Sequence, residues 1–295
     1  MNHNATSKTN NLSEKGAGDT VIVTGASGSI GAEVVKSLLQ KNFSVIMACR
    51  DLEKGNTVRN EILKEFKGKE NVVSLEKLDM SSFSSIRQFV DKISNKNIQL
   101  YGLMNNAGTI NRGFQLTNDG VEETIAVNYL GIVLLTEVLL PMLDNGARIT
   151  NVISMTTNPK RITKDMFEYS PKKYRQLRNY GQSKTALLLY TAMLSEKTKG
   201  KIHVNAADPG IVDTNILKLD RWFDPLADLL FRPLVKSPGK GAIPLVNALL
   251  AEETGKIFLG NSFKSISGDY VKHPLRDWFL ENSLKHSHQA AEETK

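Results

Sequence analysis

VIVTGASGSIG, residues 21–31, runs a short β-branched strand directly into three closely spaced glycines and then into the helical pattern AEVVKSLLQK (32–41). Strand, glycine turn and helix start in this order give a backbone that can bend sharply and approach an anion without a Cβ in the way. The unpaired N–H groups and positive dipole end of the new helix then face that anion. A glycine-rich string alone is equally a tight strand-to-helix turn. Inside a strand–helix–strand unit it reads as a dinucleotide phosphate cradle, with Gly25, Ser27, Gly28, Ser29, Ile30 and Gly31 as its residues.

Outward from this turn the chain keeps alternating. Apolar runs at 21–25, 43–49, 71–78, 100–106, 148–154 and 201–207, with a shorter one at 256–259, read as strands. Helical spacing fills 30–41, 52–67, 83–96, 117–143, 172–199 and 238–252, and Pro141 marks a late break in the fourth. This alternation predicts an α/β fold: one doubly wound domain over residues 20–282, a parallel sheet of about seven strands and helices on both faces. Residues 1–19 and 283–295 read as polar tails.

The bulk properties narrow the function classes. The 295 residues carry a net charge of +7, but the lysines are scattered rather than massed, so no nucleic-acid partner is expected. The single Cys49 forms no internal disulfide and suits a reducing, cytoplasmic setting. No stretch reads as a signal peptide or transmembrane segment. The five histidines form no ligand pattern, so no metal is expected.

Residues past the second strand face the adenosine ribose in such folds, where an acid selects NAD and a base accommodates the 2′-phosphate of NADP. The strand ends Ala48-Cys49-Arg50-Asp51. Cys49 stands where the acid belongs and Arg50 follows, favouring NADP(H); Asp51 keeps NAD(H) open.

Two Tyr-x-x-x-Lys pairs place a phenol and an ammonium one helical turn apart, Tyr169 with Lys173 and Tyr180 with Lys184. A cation beside the phenol favours phenolate and brings a general acid/base toward its working range. With seven tyrosines in the chain, on the order of one such match arises by accident. Pro171 interrupts the first pair, whereas the second opens the proline-free run YGQSKTALLLY (180–190). Ser154 ends the strand RITNVIS, and its hydroxyl reads equally as a substrate-binding donor at the sheet edge or as a turn residue.

Together TGASGSIG (24–31), LDM (78–80), NNAG (105–108), VNYLG (127–131), NVIS (151–154), YGQSK (180–184) and DPGIVDT (208–214) resemble, in order, the short-chain dehydrogenase/reductase family. The resemblance implies a Rossmann-type fold and a catalytic tetrad of Asn128, Ser154, Tyr180 and Lys184. It implies that Tyr180 gives its proton to a carbonyl that Ser154 holds, and that Lys184 lowers the phenol pKa and binds the nicotinamide ribose. Asn128 would anchor a water. It further implies Asp79 and Met80 near the adenine, Asn106, Ala107 and Gly108 along the cofactor, and Pro209, Gly210, Val212 and Thr214 beside the nicotinamide. Ser29 departs from the family's usual glycine and puts the phosphate contacts in question.

ACRD (48–51), YGQSK and DPGIVDT look most like retinol dehydrogenase-like members, which implies an oxidoreductase of lipophilic aldehydes, ketones or alcohols, often NADP-linked. The same resemblance makes a homo-oligomer a reasonable expectation. The apolar stretch after Thr214, with Leu217, Trp222, Phe223, Leu226, Leu229, Leu230 and Phe231, falls where the family covers its substrate. A nucleotide-binding regulatory or partner-docking protein without turnover is the competing function.

Overall fold

The computed structural model describes residues 19–96, 98–212 and 236–289. Its strands are β1 (Thr20–Thr24), β2 (Ser44–Cys49), β3 (Val73–Lys77), β4 (Leu100–Asn105), β5 (Arg148–Val152), β6 (His203–Asp208), β7 (Lys256–Leu259) and β8 (Ser262–Ser265). They form one sheet in the order β3-β2-β1-β4-β5-β6-β7-β8, parallel except for the antiparallel β7–β8 pair. An eighth strand thus joins the seven expected. Its SFKS sequence is exposed throughout, so no apolar run announces it.

The longer helices are α1 (Ser29–Gln40), α2 (Leu52–Glu65), α3 (Phe83–Ser94), α4 (Glu123–Met142), α5 (Gln176–Lys197) and α6 (Pro238–Leu250); the short α7 (Gly268–Val271) and α8 (Arg276–Gln289) follow. Val34, Val35, Leu38, Ile62 and Leu245 of α1, α2 and α6 pack with Val21 and Val23 on one face of the sheet. Ile86, Phe89, Leu134 and Leu188 of α3, α4 and α5 pack with Ile22 and Ile149 on the other. Alternate β1 side chains therefore enter opposite cores, which is why VIVT has no polar face.

Chain order reverses between β1 and β4, each of which leads away to a different half of the sheet. A crevice opens there above the carboxyl ends of the strands, where ligands bind in this architecture. Both the glycine turn after β1 and the NNAG run after β4 stand at its mouth.

One boundary and one reading of apolar length differ from the sequence expectations. Residues 283–289 continue α8 rather than forming a tail: Ser283 and Ser287 are fully buried, and Ser283 is hydrogen-bonded to the Tyr129 hydroxyl at 2.7 Å. Serine reads as polar surface in a sequence, yet a small hydroxyl with a local acceptor, here the Phe279 carbonyl at 2.6 Å, buries readily. In addition, α4 is long and apolar enough to cross a membrane. Of its most apolar stretch, 72% is buried within the fold, so it serves here as a core helix. Its last turn tightens to 3-10 geometry at Leu140–Met142, where Pro141 cannot continue the α-helix.

Candidate active site

The glycine turn is held from beneath. Thr24 Oγ1 accepts from the Ala107 amide at 2.9 Å, and Asn106 Nδ2 donates to the Thr24 and Gly25 carbonyls at 2.9 and 3.3 Å. These bonds tie the turn after β1 to the loop after β4 across the switch point. Gly25 has φ +65°, and a Cβ there would come within 2.9 Å of Ala107 Cα. At Gly31 a Cβ would stand 2.4 Å from the Gly25 carbonyl oxygen. Those two glycines are dictated by geometry. Gly28 is not: it is the N-cap of α1 at φ −81°, ψ 160°, a conformation open to any residue. Ser29 begins the helix with its side chain exposed, so its exchange with the usual glycine puts no strain on the turn.

No side chain caps α1, and its first turn carries no acid. Its leading N–H groups are thus left for an external acceptor, and the cradle fits the pyrophosphate of a dinucleotide. At the far end of the crevice, Gly108 lies so close to the catalytic group that a Cβ would reach 3.4 Å from Asn128 Oδ1 and 3.5 Å from Lys184 Nζ. A side chain there would fill the open space beside Asn128 and Lys184.

At the adenosine end, Cys49 is buried and Arg50 is exposed just past β2. Asp51 is otherwise engaged, since its carboxylate caps α2 by accepting from the Lys54 amide at 3.0 Å. Lys77 Nζ donates to the Arg50 carbonyl at 2.5 Å, and the Arg50 guanidinium lies 3.7 Å from Glu123 of α4. Asp79 accepts from the Ser81 amide and hydroxyl at 2.9 and 2.6 Å, while the Met80 side chain is buried in the core. A cavity of about 410 Å³ opens beside Asp79, Gln115, Thr117 and Glu123.

The four tetrad positions come from three neighbouring elements: α4, the loop after β5, and α5, which carries both Tyr180 and Lys184. Asn128 sits in a π-turn of α4, Ala126–Leu130, which widens the helix and turns its amide toward the β4 loop. Its Oδ1 accepts from the Thr109 amide and its Nδ2 donates to the Thr109 carbonyl, both at 2.8 Å; Nδ2 also reaches Ser183 Oγ at 3.2 Å. Tyr180 and Lys184 share one face of α5. Ser154, beyond β5, lies close enough to the Tyr180 phenol for its hydroxyl to pull the phenol pKa down, and its Oγ also accepts from the Thr156 amide at 3.3 Å, so the serine serves the turn as well.

The electrostatics differ from the expected lysine-activated phenol. Burial raises the Tyr180 pKa above its ordinary value, with the neighbouring Ser154 hydroxyl opposing and the Asp208 charge adding to the rise. Lys184 is 3% exposed and donates to the Val152 carbonyl at 2.7 Å. Burial lowers its pKa to about 8, against the pull of Asp208. Desolvation is the largest influence at both groups, and at Lys184 it outweighs the attraction of Asp208.

The rival pair separates in space. Tyr169 is half-buried, with its pKa pushed far up by desolvation, while Lys173 pairs with Glu168 at 2.5 Å on the surface. Neither lies in a helix.

Pro209 is buried and Gly210 adopts φ +75° at the end of β6, and Val212 bridges to Lys236. Thr214 and the apolar stretch at 217–231 lie outside the described residues, as do residues 1–18. Asp208, Thr109 and Ser183 also belong to the site. Their neighbours in sequence carry recognisable motifs, but only the fold shows that these side chains turn inward. Among the described residues, no cluster of His, Cys, Asp or Glu could hold a metal.

The short chain dehydrogenase family model matches residues 19–222. Human retinol dehydrogenase 13 is 35% identical over 255 residues, covering 82% of this chain and 76% of that protein. The chloroplastic short-chain dehydrogenase TIC 32 A of Brassica napus is 33% identical over 282 residues, covering 90% and 88%. Among solved structures, an uncharacterised Mycobacterium paratuberculosis protein superposes with a TM-score of 0.69 at 27% identity, covering 94% of both chains. Salutaridine reductase from Papaver somniferum shares the fold at a TM-score of 0.62 and 22% identity, covering 81% and 99%. With its switch-point cradle and with Ser154 and Tyr180 beside a buried lysine, this chain belongs to the short-chain dehydrogenase family and is similar within it to the retinol dehydrogenases.

Proposed function

We propose that the chain is an NADP(H)-dependent oxidoreductase that interconverts a lipophilic aldehyde or ketone and its alcohol. The observation that carries the chemistry is the meeting of Ser154, Tyr180 and Lys184 at the carboxyl edge of the sheet, where the Ser154 hydroxyl acts on the Tyr180 phenol and the buried Lys184 ammonium donates to the Val152 carbonyl at 2.7 Å. When bound, the nicotinamide supplies or accepts the hydride. In reduction, Ser154 Oγ binds the carbonyl oxygen and Tyr180 Oη donates its proton to that oxygen; in oxidation the phenolate takes the proton back. The raised Tyr180 pKa keeps the phenol protonated at neutral pH, the form that reduction requires. Lys184 is the cation beside the cofactor ribose, and Asn128 fixes the loop that carries Gly108.

The preference for NADP(H) rests on the adenosine end. Arg50 is exposed and can turn from its 3.7 Å pairing with Glu123 toward a 2′-phosphate, Cys49 offers no carboxylate to a 2′-hydroxyl, and Asp51 is committed to its helix cap. The lipophilic substrate rests on the similarity to retinol dehydrogenases and on exposed apolar side chains near the site. Met155, next to Ser154, is 66% exposed, and Leu177, one turn before Tyr180, is 54% exposed. Fluorescence titration with NADPH and NADH on wild type and Arg50→Ala, followed by turnover of apolar and polar carbonyls, tests the proposal. Selective NADPH binding lost in the variant and turnover confined to apolar carbonyls is expected; equal binding of both nucleotides would remove the cofactor assignment.

A further inference from the structure

We infer that Glu123 competes with the 2′-phosphate of NADP(H) for Arg50 and thereby limits how strongly the chain prefers NADPH to NADH; this rests on the placement of that phosphate at Arg50. The two residues come from different walls of the crevice, Arg50 from the end of β2 and Glu123 from the first turn of α4, with β1 and β4 between. Arg50 Nη1 lies 3.7 Å from Glu123 Oε1.

The two partners are unequally free. The Arg50 side chain is 66% exposed and bonds to Glu123 at the long end of ion-pair range, so it can swing away at little cost. Glu123 is 21% exposed, and its Oε2 accepts from Asn111 Nδ2 at 2.6 Å. Asn111 in turn accepts from Thr109 Oγ1 at 3.0 Å, and Thr109 is clamped by Asn128. The carboxylate therefore stays in place when the guanidinium moves. A mobile cation beside a fixed anion is an arrangement in which an incoming phosphate must both displace the carboxylate and remain near its charge. The hydroxyl of an NADH ribose meets neither penalty.

Glu123 stands in the first turn of α4, where its charge faces the helix N-terminus, but its side chain caps no amide. The cap of α4 is Glu122, whose carboxylate accepts from the Thr124 and Ile125 amides at 3.0 and 3.1 Å. Lys77, bonded to the Arg50 carbonyl, supplies a second cation on the Arg50 side of the crevice.

The test is equilibrium fluorescence titration of NADPH and of NADH with wild type, Glu123→Gln, Arg50→Ala and the double variant. Glutamine keeps an oxygen for Asn111 while removing the charge. The expected result is an NADPH Kd tightened by about three- to tenfold in Glu123→Gln, with NADH within about twofold and a smaller NADPH gain in the Arg50→Ala background. An unchanged or weakened NADPH Kd in Glu123→Gln, with NADPH selectively lost in Arg50→Ala, overturns the inference and leaves the cofactor assignment standing. Arg50→Ala without selective loss of NADPH overturns both. If Glu123→Gln weakens NADH as well, which would mark a disturbed loop, Glu123→Ala is read by the same NADPH-to-NADH ratio.

Discussion

Asn128 holds Thr109 by both backbone groups, accepting from its amide and donating to its carbonyl at 2.8 Å each. A primary amide offers a donor and an acceptor at this spacing, which an ionised carboxylate does not. Asn128→Asp keeps the acceptor, loses the donors to the Thr109 carbonyl and Ser183, and leaves the buried carbonyl unpaired. A loss of about 1–3 kcal/mol in chemical denaturation is expected, with kcat falling further than KM rises, as the Gly108 loop loosens. A variant as stable as wild type would show that the clamp is not structural.

Tyr180→Phe removes the proton donor and leaves the phosphate cradle untouched. Carbonyl reduction should fall by about 10²–10⁴-fold in kcat while NADPH binds within about twofold of wild type. Residual turnover above a tenth of wild type would move the proton transfer to another group.

Lys184 keeps its charge below pH 8 only by bearing the cost of burial. Its folded pKa of about 8 lies below the ordinary 10.5, so the penalty is complete below pH 8 and is relieved as pH rises from about 8 toward 10.5. Lys184→Met should therefore be more stable than wild type at pH 7, by about 1–3 kcal/mol, and should lose that advantage near pH 10, while turnover collapses. Thermal melts at the two pH values check the sign.

The same titration sets an alkaline limb on reduction. As pH passes about 8, Lys184 loses the proton that makes it a cation, whereas Tyr180, raised by burial, stays protonated. We expect kcat/KM for reduction to decline above pH 8, and Lys184→Arg, which stays charged, to move the decline upward if it retains turnover. A flat profile from pH 6 to 10 in wild type would contradict this.

Gly31→Ala and Gly28→Ala separate required from permissive glycines. The Gly31 Cβ would press on a backbone oxygen at 2.4 Å, whereas the Gly28 Cβ would meet the same Gly25 oxygen only at 3.3 Å. Cofactor affinity should drop by at least about tenfold in the first and change little in the second, read by NADPH titration.

The sequence by itself determined the doubly wound domain, because alternating β-branched runs and helical spacing leave a parallel sheet covered on both faces as the way to bury them. It also picked Tyr180 and Lys184 over Tyr169 and Lys173, because Pro171 spoils the shared helical face that the chemistry requires. Local pattern could not reveal β8, whose residues are exposed, nor the packed end of α8, whose buried serines look like surface. The tertiary structure alone decided which glycines are obligatory, since that depends on the distance from Gly31 to a carbonyl six residues earlier. It alone brought Glu123 to Arg50 and Asp208 to the tetrad, because charges distant in the chain meet only when the strands that carry them are ordered side by side.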